Sequence, residues 1–223
     1  MAIKKQTSDV VEIRGIVIQV LDLAIVGDTP LISHAWSSKA RQMMKDKQAG
    51  KATTRVKRTA ENIEQEYQES VYWLADGQAG FPAAAFKAAT VGACRQYDIM
   101  PMTKAKTVLF IEGQLDAQGN SLIPIKGVMQ RREDMVRLET GVADIRYRYQ
   151  FWPWRATLRV RFNASVITPE QIVNLVNAGG LGGVGEWRPS APKSSTGDYG
   201  RFHVEARDGD DESPTRAAGE HDG

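Results

Sequence analysis

The residues best suited to chemistry lie between Asn177 and Val204, in the string NAGGLGGVGEWRPSAPKSSTGDYGRFHV. It contains Gly179, Gly180, Gly182, Gly183, Gly185, Gly197 and Gly200, interleaved with Trp187, Arg188, Lys193, Tyr199 and Arg201. Glycine gives up the most backbone freedom on folding, so a cluster marks unusual dihedrals or close approach by another backbone or a ligand. Cations and aromatics around such a loop suit a polyanion whose bases can stack. Gly183, Gly185 and Arg188 could cradle a phosphate through backbone amides and a guanidinium. The competing reading is a structural loop that supports a neighbouring strand or subunit. A Walker-type phosphate loop is excluded, because no Gly-Lys-Ser/Thr follows the glycines.

A second signal runs from Lys126 to Arg161, where nine bases face four acids among Tyr147, Tyr149, Phe151, Trp152 and Trp154. Single-strand binders pair a cationic track for phosphates with aromatic platforms for bases. The aromatics are favoured for the core on general grounds. Arg131 and Arg132 belong to this stretch, and Arg146, Arg148, Arg159 and Arg161 are expected to form a row that follows a phosphate backbone. A third signal is residues 39–58, with Lys39, Arg41, Lys45, Lys47, Lys51, Arg55, Lys57 and Arg58 against Asp46 alone. Such a run is either a finger laid along a nucleic acid or a solvated surface.

Catalytic readings are weaker. His34 is the one candidate general base, since a basic segment follows it, yet a lone histidine beside Trp36 is more often structural. His203 and His221 form no cluster with cysteine or carboxylate at zinc spacing. Glu133, Asp134 and Asp144 could bind Mg²⁺, but each has arginines beside it, and ion pairing accounts for them more simply. No cofactor and no metal is expected.

The elements that position these residues read as follows. Val10 to Ile25 is rich in β-branched residues and suits a long first strand, with a bulge near Gly15. A turn at 27–30 leads through PLISHAWSS to a helix in SKARQMMKDKQ, capped by Ser37 or Ser38. Residues 51–67 read as an insertion followed by helix. VYWLADGQAGFP gives a short strand, a turn and a Pro82-started helix to about Arg95. AKTVLFIEGQL is a strand, paired through the Gly119-Asn120 turn with SLIPI. The stretch to Asn163 is strand-like with a break at Pro153, and ATLRVRFN sets Thr157, Arg159 and Arg161 on one face against Leu158, Val160 and Phe162 on the other. Thr168, Pro169 and Gln171 form a helix start, and the helix is expected to stop at Gly179-Gly180. The order indicates an α+β fold.

A unit of strand (Ala156–Asn163), helix (Thr168–Ala178), GGLGGVGEWRP loop and returning GDYGRFHV strand resembles the RAMP superfamily of CRISPR systems, above all the backbone subunits that coat guide RNA. GVGEWRP…GDYGRFHV, with the TPLI…H…SSKA and FPAAAFKAA blocks, also resembles a group of phage and prophage proteins. The resemblance implies a ferredoxin-like, RRM-like antiparallel sheet with helices on one face, and single-stranded nucleic acid bound through sheet and loops. A metal-independent RAMP-type endoribonuclease and an assembly protein with a protein partner are the alternatives.

Composition fits this picture. At 223 residues with 42% hydrophobic and 25% charged, the chain can bury one sizeable core. No apolar run reaches the ~20 residues of a membrane span and no signal-peptide core opens the chain, so a cytoplasmic protein is expected. Cys94, the only cysteine, reads as a buried apolar group. Residues 205–223 carry a balance of −5, leaving +7 on residues 1–204 of the chain's net +2. The expected organisation is one binding domain over 1–204, with residues 39–67 as a basic insertion, and a disordered acidic tail over 205–223. That tail is either solubilising or a decoy for the basic surface. The expected function is a non-catalytic binder of single-stranded RNA or DNA that self-associates along the strand.

Overall fold

The computed structural model describes residues 15–51, 59–98, 100–137, 141–192 and 195–206. The acidic tail, the first part of the long strand expected from Val10, and Arg55, Lys57 and Arg58 lie outside them. Its organising element is β8 (Ala143–Asn163), a 21-residue strand. One edge of β8 pairs antiparallel with β7 (Ser121–Arg137) and then β5 (Leu109–Glu112). Its other edge pairs with β2 (Leu31–Ile32) and then β1 (Ile18–Gly27). The short β9 (Phe202–Val204) joins β1, β4 (Ala79–Pro82) joins β7, and β3 (Tyr72–Trp73) joins β4. A β6–β7 hairpin (β6, Gln114–Leu115) turns at Gly119, whose φ of +82° needs no side chain in the way.

The strand pattern of ATLRVRFN holds. Leu158, Val160 and Phe162 are buried and Thr157, Arg159 and Arg161 face out. The expected break at Pro153 is not there: β8 runs through it with a bulge, where Val128 of β7 stands opposite both Trp152 and Pro153 of β8, between the Gly127–Trp154 and Met129–Phe151 pairs. That extra residue switches the alternation. Tyr149 and Phe151 before it therefore share the core face with Trp154 and Ala156 after it.

Helices α3 (Ala83–Tyr97) and α5 (Pro169–Gly182) pack on that face, burying Phe86, Val91, Ile172, Leu175 and Val176. The α5 start is as expected, with a full capping box between Thr168 and Gln171. Its end is not. The helix continues through Gly179-Gly180 because these glycines allow close packing: a Cβ on Gly179 would come within 2.8 Å of the Thr90 backbone, and one on Gly180 would run into the Phe202 carbonyl. Residues 105–108, the first part of the strand expected in AKTVLFIEGQL, instead belong to α4 (Met102–Val108), which leads into β5. Two further helices complete the α+β fold: α1 (Ser38–Gln48), capped by Ser37, and α2 (Ala60–Glu69), capped by Thr59. Tyr67 of α2 lies against Tyr147 and Tyr149, so these aromatics pack the interior. Cys94 is buried, as expected, and burial pushes its thiol pKa up. No helix among the described residues is long and apolar enough to cross a membrane.

Because Gly180 has no room for a methyl group, Gly180→Ala should cost about 1–3 kcal/mol through overpacking. Chemical denaturation checks this, and an unchanged midpoint would contradict it.

Candidate nucleic-acid interface

The bulge in β8 brings Arg146 and Arg148 onto the same face as Arg159 and Arg161, as a row requires. Their surroundings differ from the expectation. Arg148 is 2% exposed, and its guanidinium meets Asp134 at 2.8 Å and Glu186 at 3.6 Å. Asp134 also accepts from Arg132 Nε at 2.8 and 3.0 Å, and Arg132 donates to Gln150 and to the Tyr199 hydroxyl. Trp187 covers both guanidiniums, about 5 Å from each, and Tyr199 stacks on Arg132 from 4.7 Å. A buried cation demands a nearby carboxylate, and this cluster supplies two, although Arg148 Nε itself has no hydrogen-bond partner. Arg148 is thus removed from the surface row, a correction forced by the loop that closes over it.

Arg131, Arg146, Arg159 and Arg161 reach solvent but meet acids. Arg131 pairs with Glu64 at 2.6 Å, Arg146 with Asp144 at 3.4 Å, and Arg161 with Glu112 at 2.6 Å. Arg159 lies 3.4 Å from Asp22 and 3.5 Å from Glu112. The sheet face opposite the helices is accordingly charge-balanced rather than cationic. Asp134 and Asp144 serve ion pairs, as the simpler reading held.

The glycine-rich loop is spent mainly on the chain's own packing. The Gly183 amide donates to Gly179 and Gly180 and closes α5, which corrects its expected role in a phosphate cradle. A Cβ on Gly185 would lie 2.7 Å from the Ile32 carbonyl oxygen, and one on Gly200 would strike that of Val184. Trp187 adopts φ +53°, a left-handed conformation that few bulky residues take. It is held there by the Tyr199 amide on its carbonyl and by Gly197 packed against it.

The loop nevertheless builds something. With α3 it walls a groove of about 530 Å³. Ala85, Ala89 and Gly92 of α3 line one side, Gly183 to Glu186 the other, and His34, Tyr72, Arg95 and Arg188 also contribute to the lining. His34 Nδ1 lies 3.1 Å from Glu186 Oε1. That hydrogen bond, with the Arg148 and Arg188 charges, holds the Glu186 carboxyl below its ordinary pKa despite partial burial. The Tyr72 hydroxyl donates to the His34 carbonyl oxygen, and burial together with the Glu186 charge pushes its pKa up. Arg188 donates to the Gly185 carbonyl at 2.9 Å, which pins its side chain along the loop.

Two residues beyond His34, Trp36 is 58% exposed and leads into α1. Ser38 at the start of that helix is fixed by hydrogen bonds to Glu69. Arg41, Lys45 and Lys47 are exposed on α1, and among the described residues no acid pairs with them. Lys51 lies 3.9 Å from Asp46, and Lys39 falls within the helix. The structure therefore groups His34, Gly183, Gly185 and Arg188 at one groove and the 39–47 cations on the helix that follows His34; it buries Arg148 behind the groove wall against Glu186 and sets Arg131, Arg132, Arg146, Arg159 and Arg161 outside the groove lining. Tyr72, Arg95 and Glu186 escaped the sequence reading. Glu186 stood beside Trp187 in the loop, whereas Tyr72 and Arg95 carried no local signal.

Compared with solved structures, the chain is similar to one in the cryo-EM structure of the Type III-B Cmr-beta bound to cognate target RNA, with a TM-score of 0.52 at 8% identity over 85% of this chain. It spans 59% of that longer chain. The likeness is one of fold and agrees with a ferredoxin-like α+β architecture. Cmr6 from Pyrococcus furiosus aligns over 85% of this chain and 99% of its own, at 11% identity and a TM-score of 0.37. No family model and no curated protein matches the sequence.

Two outcomes test the site's construction. Asp134→Ala leaves two guanidiniums without their shared carboxylate, one of them buried, and should lower stability by about 3–5 kcal/mol in denaturant titration. A loss below about 1 kcal/mol would contradict the role given to Asp134. Glu186 has a folded pKa lowered relative to its ordinary value, so its contribution is present above the ordinary carboxylate pKa and is lost as pH falls through the lowered one. The acid-side fall in stability should be shallower in Glu186→Gln than in the native protein. Superimposable pH profiles would refute it.

Proposed function

We propose that this protein binds single-stranded nucleic acid, RNA or DNA, along the surface that joins α1, Trp36 and the groove. The observation that carries the reading is the exposed α1 cations, Arg41, Lys45 and Lys47, unpaired with any described acid and leading through exposed Trp36 to a groove lined by Arg95 and Arg188. Phosphates would bind the cations, and Trp36 offers a face on which a base stacks. The likeness to a chain in an RNA-bound complex supports the reading. Arg55, Lys57 and Arg58 extend the same basic segment, and the domain spans residues 1–204. Copies assemble side by side on a long strand, and the acidic segment from Glu205 competes with the strand for the cations.

A second reading is favoured by one contact, the His34–Glu186 pair in the groove. A carboxylate on Nδ1 fixes the tautomer and orientation of an imidazole, which suits a general base for cleavage at a ribose 2′-hydroxyl.

One titration separates these readings. Fluorescence anisotropy with matched single-stranded RNA, single-stranded DNA and duplex should show preference for single strands and steep salt dependence. In Lys45→Gln/Lys47→Gln the log–log salt slope should flatten by about 1.4, from two contacts at ~0.7 each. Binding untouched by this double variant would refute the interface. Complex mass should rise with strand length, whereas a fixed one-to-one complex would refute assembly. Recovered RNA should be intact; products lost in His34→Ala would establish the second reading instead.

A further inference from the structure

Gly92 stands inside α3, five residues before the last helical one, a natural place for a strong helix former, and glycine there weakens the helix relative to alanine. The fold usually gives a reason for such a glycine. Gly179 and Gly180 in α5 are each required by a backbone that passes within contact distance. Gly92 has no such reason: a Cβ built on it meets nothing within 4 Å, and its φ lies outside the left-handed region. It is exposed, and it faces the groove together with Ala85 and Ala89, seven and three residues earlier on the same helix face. The opposite wall, Gly183 to Glu186, is brought in by the Arg148–Asp134 cluster and is also largely without side chains. Arg95, Arg188, His34 and Tyr72 provide the polar and aromatic lining.

We infer that the groove between α3 and the 183–190 loop is a nucleotide site, in which a flat nucleobase lies against the α3 backbone at Gly92 while its phosphate meets Arg95 and Arg188. The inference rests on the single-strand reading above and adds to it a place where one base leaves the strand and is enclosed. The volume, about 530 Å³, lies within the range of small-molecule sites. The lining chemistry narrows the occupant. Two guanidiniums call for an anion, the Tyr72 ring and the side-chain-free helix face suit a flat ring, and the pocket is too polar at its edge for a lipid chain. A nucleotide combines these features in one unit.

The test compares the native protein with Gly92→Leu on two probes of equal length and charge, a 12-nucleotide oligouridine and the fully abasic strand. A Cβ at position 92 meets nothing within 4 Å and leucine is a better helix former than glycine, so thermal denaturation should show Gly92→Leu at least as stable as the native protein. The native protein should bind oligouridine about tenfold more tightly than the abasic strand. Gly92→Leu should lose most of that preference, keeping only what stacking on Trp36 supplies, and should bind the abasic strand as the native protein does. A leucine variant that keeps the native preference overturns the groove as a base site while leaving the single-strand reading in place. Native protein that binds neither probe overturns both.

Discussion

Burying a guanidinium is possible only where a carboxylate and further partners are brought to it, and Arg148 imposes that requirement on the whole of this molecule. Asp134, across the β7–β8 ribbon, supplies one charge and ties in Arg132. Glu186 supplies a second from the loop after α5, and Trp187, beside it, closes over both arginines. The loop is thereby drawn along β2, where the Glu186 amide reaches the Ile32 carbonyl. That constraint acts together with the backbone hydrogen bonds of Gly183, Val184 and Glu186 to hold the wall of the groove opposite α3.

The same logic divides the basic residues into two populations. Those on the strands are bought into the fold by carboxylates placed across the sheet, as with Arg159 between Asp22 and Glu112. Those on α1 have no such company among the described residues, and the helix that bears them lies outside the main core. Charge that folding has neutralised contributes little to a polyanion's binding, and charge left open contributes most. The proposed surface is for this reason smaller than the chain's arginine content suggests, and it draws on α1, α3 and the glycine loop.

The elements legible in the sequence were those defined by local chemistry. The alternation of ATLRVRFN, the Thr168 capping box and the Ser37 cap each act within a few residues, and each appears in the structure as read. What escaped was set by tertiary contact. Glycines at 179 and 180 carry the local signature of a helix end, but Thr90 and Phe202 pack so closely there that the helix goes on through them. Arg148 has the same spacing from Arg146 as Arg161 has from Arg159, and only the loop closing overhead makes one of the four a core residue. His34 was visible as a candidate, while its partner Glu186 is 152 residues away and could be recognised only in three dimensions.

The central claim is that single-stranded nucleic acid lies on α1, Trp36 and the groove and not on the arginine-bearing sheet face. Hydrogen–deuterium exchange with and without a single-stranded oligonucleotide tests it most directly. The account predicts protection concentrated in residues 34–48 and 182–190 and none in residues 155–163. Protection centred on 155–163, with 34–48 unchanged, would contradict it.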